Sequence, residues 1–351
     1  MSVWDAYPAD YRQSEVQFIS AAVQAGECVS VVGLSGSGKS NLAGFLANRS
    51  PLTAPRSSLI DCNRLTEPSP EAFFYLTRRT LGDAQPSSDE YQALEAAIDR
   101  HLTQQPEGLC LLLDRFDILS SSSPALYGNL RSLRDAFKYK LTYIIFTRKL
   151  LDPRTELAEL FFGNTLWLGP LSDSDARWNI TRYAQRKGIT WDETTVQGIL
   201  RFSWGYPSLL RAVCEACSEG TPLEPRSLAE HPAIKRRVEE FWADQPGDED
   251  LRRSGLAGQP VLCAGRTSLA DQQLTAKEHL LLEYFCQHPG QVCEKDDLIR
   301  AVWPEDRIYE RGIRDDSLAQ LIRRLREKIE PDPSNPSRIY TVPGRGYRYV
   351  S

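Results

Sequence analysis

From about residue 10 to residue 168 the chain alternates short apolar runs with stretches of helical spacing. Cys28–Val32, Ser58–Asp61, Leu109–Asp114, Tyr143–Thr147 and Thr165–Leu168 read as buried strands, with helical patterns such as Asn41–Asn48, Ala72–Thr80 and Tyr91–Thr103 between them. Strand–helix alternation of this kind predicts a parallel sheet covered on both faces. From about 172 to 242 the strand signal is lost, and Ser172–Lys187, Thr194–Phe202 and Ser208–Glu219 carry helical spacing. Ser172, ahead of Asp173 and Asp175, is a helix-start signal. Residues 243–260 mix Gly, Pro and charge with no apolar period and read as a linker. Beyond 261, short strand-like pieces lead into three helical patterns, starting near Leu274, Lys295 and Asp316. On the third, Leu318, Leu321, Ile322, Leu325 and Ile329 share one face, leaving Ser317, Gln320, Arg323, Arg324 and Lys328 largely outward. Two β-rich runs around Pro343-Gly344-Arg345-Gly346 then signal a hairpin, with Arg345 at its tip. The expected divisions are a core at 1–170, a helical lid at 171–242, a linker at 243–260 and a last domain at 261–351.

Composition narrows the class. The chain has 351 residues, 41 % hydrophobic and 25 % charged, which fits a globular protein of two or three domains. Its longest clean apolar run, Leu109–Leu113, is far short of the ~20 residues a membrane span needs. The N-terminus lacks a basic stretch followed by an apolar one, so a cytoplasmic location without membrane contact is expected. Eight cysteines are scattered through apparent strands and helices, and the lone C-x-x-C, Cys214 and Cys217, lies in a helical pattern with no second pair nearby. They read as reduced, buried thiols rather than a zinc site. The net charge of −5 means that nucleic-acid binding must come from a local basic patch.

The candidate chemistry begins at Gly33-Leu34-Ser35-Gly36-Ser37-Gly38-Lys39-Ser40, which fits G-x-x-x-x-G-K-[ST] between a strand and the helix opening at Asn41. Glycines let the backbone wrap phosphates, and free N–H groups with the helix dipole face the anion. Lys39 is expected to reach the β- and γ-phosphates of ATP and Ser40 to ligate Mg²⁺, with Asp114 at the end of an apolar strand holding the ion from the opposite side. Arg148, at the tip of a later strand, is a candidate γ-phosphate sensor. The absence of an N-K-x-D sequence favours ATP over GTP.

These residues resemble P-loop ATPases of the AAA+/STAND group over about Tyr11 to Phe241. Arg12 and Glu15 resemble the Arg-x-x-Glu element preceding the phosphate loop in that group, and Gly205-Tyr206-Pro207 resembles the G-x-P element of its helical lid. The resemblance implies that Arg12 and Pro207 lie at the nucleotide. Many ATPases of this class place a glutamate after the strand aspartate; here that residue is Arg115, which cannot act as a base at neutral pH. Slow turnover is therefore expected, with Asp117 the candidate to polarise water in the glutamate's place. The last block resembles the winged-helix output domain of the OmpR/PhoB type, on Leu274-Thr275-x-x-Glu278, Pro289-Gly290, Val302-Trp303, Arg324-Leu325-Arg326-x-Lys328 and Thr341–Arg348.

The fold class is thus an α/β P-loop NTPase core with a helical lid, plus a C-terminal α+β winged helix. Double-stranded DNA is the expected partner, contacted through Ser317, Gln320, Arg323, Arg324, Lys328 and Arg345, although residues 271–351 carry 13 Lys/Arg against 14 Asp/Glu. ATP-driven closure of core on lid is expected to permit a homo-oligomer. The leading expectation is an ATP-dependent transcription regulator. A DNA-remodelling or initiator-like ATPase, and a defence or signalling switch whose winged helix binds protein, stand beside it.

Overall fold

The computed structural model describes residues 3–49, 56–121, 124–256, 275–288, 290–303, 311–330, 336 and 338–350. It divides into two units, Met1–Ala257 and Gly258–Ser351. The first unit is built on β1 (Val29–Val32), β2 (Arg56–Asp61), β3 (Leu109–Asp114), β4 (Leu141–Thr147) and β5 (Thr165–Trp167). They form one parallel sheet in the order β2-β3-β4-β1-β5. Every residue of β1, β3 and β4 is buried, as expected for near-continuous apolar strands covered by helices on both faces. The covering helices are α1 (Gln13–Gln24), α2 (Lys39–Asn48), α3 (Pro70–Thr80), α4 (Glu90–Gln104) and α5 (Pro124–Ala136). One core joins Phe73, Phe74, Leu94, Ile98, Leu130 and Leu133 of that helical layer, with Phe116 just after β3, to Leu111, Leu113, Tyr143 and Ile145 of the sheet.

The register decides where chemistry can gather. Val32 pairs with Thr147 and Asp61 with Asp114, so Gly33, Asp114 and Arg148 all emerge at the carboxyl edge of the sheet. That edge is where open α/β sheets bind ligands.

The helical part comprises α6 (Asp173–Lys187), α7 (Glu193–Ser203), α8 (Pro207–Ser218), α9 (Pro225–Glu230), α10 (Pro232–Ala243) and α11 (Asp248–Arg253). Caps mark its helix starts: Ser172 Oγ accepts from Asp175 N–H, Asp192 from Thr195 N–H, and Pro207 opens α8. The expected linker requires correction. Residues 243–256 belong to the first unit, with α11 inside them, and Leu251 and Leu256 are buried. Two buried leucines in so short a stretch create no period that a sequence pattern can register. Residues 257–260 lie outside the described set.

The second unit has α12 (Ala276–Gln287), β6 (Val292–Glu294), α13 (Lys295–Val302), α14 (Arg311–Ile329), β7 (Ile339–Val342) and β8 (Gly346–Tyr349). Its antiparallel sheet runs β6-β8-β7. The stripe of Leu318, Leu321, Ile322, Leu325 and Ile329 is buried against Leu281, Phe285, Leu298, Ile339 and Tyr347. Among the described residues this is a winged-helix layout: three helices and a small sheet whose last two strands form the hairpin. The strand-like pieces expected between 261 and 273 lie outside the described residues. Among the described residues no helix is long and apolar enough to cross a membrane.

Candidate nucleotide site and winged-helix surface

The loop from β1 to α2 owes its shape to glycine. Gly36 and Gly38 have φ of 83° and 90°, a region that L side chains rarely enter. A Cβ on Gly33 would lie 2.5 Å from Ser37 Oγ, so the loop closes only without one. The lid packs directly on this loop: the Tyr206 hydroxyl donates to Ser35 O at 2.6 Å and Ser208 N–H to Gly36 O at 3.1 Å. A Cβ on Gly38 would stand 3.3 Å from Pro207 Cγ.

A cavity of about 670 Å³ opens beside the loop, within the range that holds small ligands. The loop residues Ser35, Gly36, Gly38, Lys39, Ser40 and Asn41 line it, with Asp117 and Pro207. Four arginines also face it: Arg115, Arg148, Arg211 and Arg237. With Lys39 they make five cationic groups around one cavity, a setting for a polyanion. Lys39 Nζ donates to Gly33 O and, at 3.2 Å, to Leu34 O. Burial pulls its pKa down to about 8, against the pull of the Asp117, Asp244 and Asp114 charges.

Asp114 is 5 % exposed, and burial raises its pKa although the Ser40 hydroxyl hydrogen-bonds its carboxylate. A buried carboxylate touching a hydroxyl, at the mouth of a phosphate loop, is a donor set that Mg²⁺ suits once phosphate oxygens complete its shell. Ser37 Oγ is buried beside Gly33 without a hydrogen-bond partner and does not line the cavity. Among the described residues no cluster of three or more His, Cys, Asp or Glu side chains offers an all-protein metal site. The described cysteines are free thiols, and burial pushes Cys62 and Cys110 up to about 12.

One expectation changes here. Arg12 is 2 % exposed, with φ 47°, and its guanidinium is engaged on Glu15 Oε1 at 2.6 Å and on Ser37 O and Gly169 O, each at 3.0 Å. Its backbone N–H donates to Asp175 of α6 at 3.1 Å. It ties loop, sheet and lid together and does not line the nucleotide cavity; the α1 start buries it beneath the loop. Asp117 lines the cavity while bracing Arg148: its Oδ1 accepts from Arg148 N–H at 2.6 Å and its Oδ2 lies 3.6 Å from Arg148 Nε.

Arg211 and Arg237 escaped the sequence reading. Arg211 carries a signal that was there to be used, since it lies four residues after Pro207 on the same helix face. Arg237, on α10, has none. Arg115 takes φ 55°, and its Nε and Nη1 lie 3.0 and 3.1 Å from the Asn63 amide oxygen once that amide is oriented to accept.

On the second unit, Gln320, Arg323, Arg324 and Arg345 are exposed and Ser317 is half-buried. Arg323 pairs with Glu327 at 3.0 Å, and Arg345 lies 3.7 Å from Glu294. Lys328 is exposed as expected, but its Nζ reaches back to lie 2.6 Å from Oε2 of Glu278, a side chain only 1 % exposed. Burial pushes Glu278 up, yet hydrogen bonds from Lys328 and Thr275 hold its carboxyl below the usual range. Glu278 caps α12, so Lys328 serves that cap. Arg326 is half-buried and donates to Ile339 O at 2.6 Å.

Comparison with known proteins agrees with both halves. The family Novel STAND NTPase 1 matches residues 11–211, and the domain described as Transcriptional regulatory protein, C terminal, matches residues 270–349. The alkaline phosphatase synthesis transcriptional regulatory protein SphR of Synechococcus elongatus is 42 % identical over 118 residues, 33 % of this chain and 43 % of that protein. The transcriptional regulatory protein YvrH of Bacillus subtilis is 47 % identical over 70 residues, 20 % of this chain and 28 % of that protein. The chain therefore spans less than half the length of either relative. Among solved structures, the Walker-type ATPase paby2304 of Pyrococcus abyssi is 14 % identical with a TM-score of 0.48, covering 97 % of this chain and 93 % of that one.

Proposed function

We propose, from the premise that the chain belongs to the Novel STAND NTPase 1 family, that it is an ATP-controlled transcription regulator. The observation that carries this is the pairing, in one chain, of a five-cation phosphate-loop cavity with a transcriptional-regulator C-terminal domain. ATP is the nucleotide that fits the absence of a guanine-selecting sequence. Lys39, Arg148, Arg211 and Arg237 would meet its phosphates, while Ser40 and Asp114 would hold Mg²⁺. Mg²⁺ neutralises phosphate charge when bound. Arg115 cannot polarise water and Asp117 is held by Arg148, so the site favours a long-lived bound state over rapid hydrolysis.

Lid residues Tyr206, Pro207 and Ser208 touch the loop itself. Nucleotide that alters the loop therefore alters the lid, provided one lid position binds it better. In the output unit, Gln320 and Arg323 are the side chains for base edges on double-stranded DNA, with Ser317 and Arg324 on the backbone. Arg345 suits a narrow minor groove, where the potential is most negative.

The test is selection from a random duplex pool by the full-length protein, with ATP and Mg²⁺, with ADP and Mg²⁺, or without nucleotide. An enriched site whose affinity differs at least about fivefold between ATP and no nucleotide supports the reading. Failure to hold any duplex at low salt in all three states overturns its DNA half. The protein-partner reading would then take its place.

A further inference from the structure

Arg148 joins two parts of the first unit. It stands at the end of β4, and its Nη1 lies 2.7 Å from Oδ1 of Asp244, the residue that ends α10 of the lid. The same arginine lines the nucleotide cavity and a neighbouring cavity of about 580 Å³ that Asp117 and Asp244 also line. Asp244's side chain is 9 % exposed and its Oδ2 has no hydrogen-bond partner. Among the described residues its carboxylate hydrogen-bonds to Arg148 only. Lys39, whose charge also interacts with Asp244, donates to the loop carbonyls of Gly33 and Leu34. Asp117 pairs with the Arg148 backbone and Nε and leaves Nη1 to Asp244.

We infer that Asp244 is a specificity-determining residue of the nucleotide site: it competes with the terminal phosphate of a nucleoside triphosphate for Arg148. This rests on the nucleotide-binding reading above. A carboxylate and a phosphoryl group offer a guanidinium the same kind of charged oxygen acceptors. A triphosphate that takes Arg148 leaves Asp244 buried and unpaired, which is unfavourable unless the end of α10 shifts to let water in. A diphosphate has no third phosphoryl group to offer and leaves the pair intact. Asp244 thus weakens triphosphate binding selectively and makes that binding pull on the last lid-side helix.

The experiment is calorimetry on the full-length protein with Mg²⁺ and either a non-hydrolysable ATP analogue or ADP. Asp244→Asn, close to isosteric, should tighten analogue binding about tenfold and change ADP binding by no more than about twofold. Asp244→Glu, which keeps the charge, should stay near wild type. In an Arg148→Ala background the Asn substitution should gain nothing, a result that a general loosening of the lid would not produce. Thermal melts establish that each variant is folded, and Asp244→Ser provides a second neutral replacement. If Asn and Ser leave the analogue-to-ADP ratio unchanged, or the gain survives without Arg148, the inference is overturned while nucleotide binding stands. If wild type binds neither nucleotide, the reading beneath it fails and takes the inference with it.

Discussion

In the nucleotide unit Arg148 finds its partner Asp244 at a sequence separation of 96, and Arg12 reaches Gly169 at 157 and Asp175 at 163. In the winged-helix unit Arg323 pairs with Glu327 four residues on, and Arg326 bonds Ile339 at a separation of 13. The contrast follows from topology. A parallel sheet brings strand ends together across long crossovers, so its cations converge on one edge. A long helix with an adjacent hairpin keeps its cations in rows along a surface, where partners are near in sequence. A converging site suits a compact polyanion. A row suits an extended one. Lys328 blurs the contrast, since it sits on the row yet closes a cap fifty residues away.

The largest test of the converging side is Lys39→Ala. It should lower ATP affinity by about a hundredfold or more, because a charge-assisted contact to phosphate is lost from a half-buried position. Calorimetry on a variant with an unchanged circular dichroism spectrum checks this, and unchanged affinity would remove the site.

Next comes Lys328→Ala, which sets a cation placed on a buried carboxylate against one paired only at the surface. It leaves Glu278 buried without its ammonium partner and should destabilise the second unit by about 1–3 kcal/mol in urea unfolding. Arg323→Ala, with its side chain 82 % exposed, should change stability little.

A pH titration compares the two units in one sample. Only charged Lys39 attracts phosphate, and burial has already brought its pKa to about 8. Raising the pH from 7 to 9 therefore removes its proton and should weaken ATP binding by about tenfold. Arginine keeps its charge throughout that range, so DNA affinity measured in saturating ATP should hold steady. A parallel fall in both affinities would contradict this division.

The smallest expected effect belongs to Arg345→Ala. A lost minor-groove or phosphate contact should weaken DNA binding by about 1 kcal/mol and flatten its salt dependence. Anisotropy titrations at two salt concentrations, on duplexes with narrow and wide flanking minor grooves, would show the larger loss on the narrow one.

Backbone order, the phosphate loop, Asp114 and the buried stripe of α14 were legible from residues alone, because strand runs, helical spacing and glycine at special φ values are local signals. The hairpin and the Ser172 cap belong with them. The ordered stretch at 243–256, the burial of Arg12, the bracing of Arg148 by Asp117, and the lid arginines Arg211 and Arg237 were set by the fold. The position of Arg148 at a strand tip could be read; its occupation by Asp244 could not. A charge chooses its partner by distance in space. That distance depends on strand order, register and the path of the lid, none of which a short window of sequence contains.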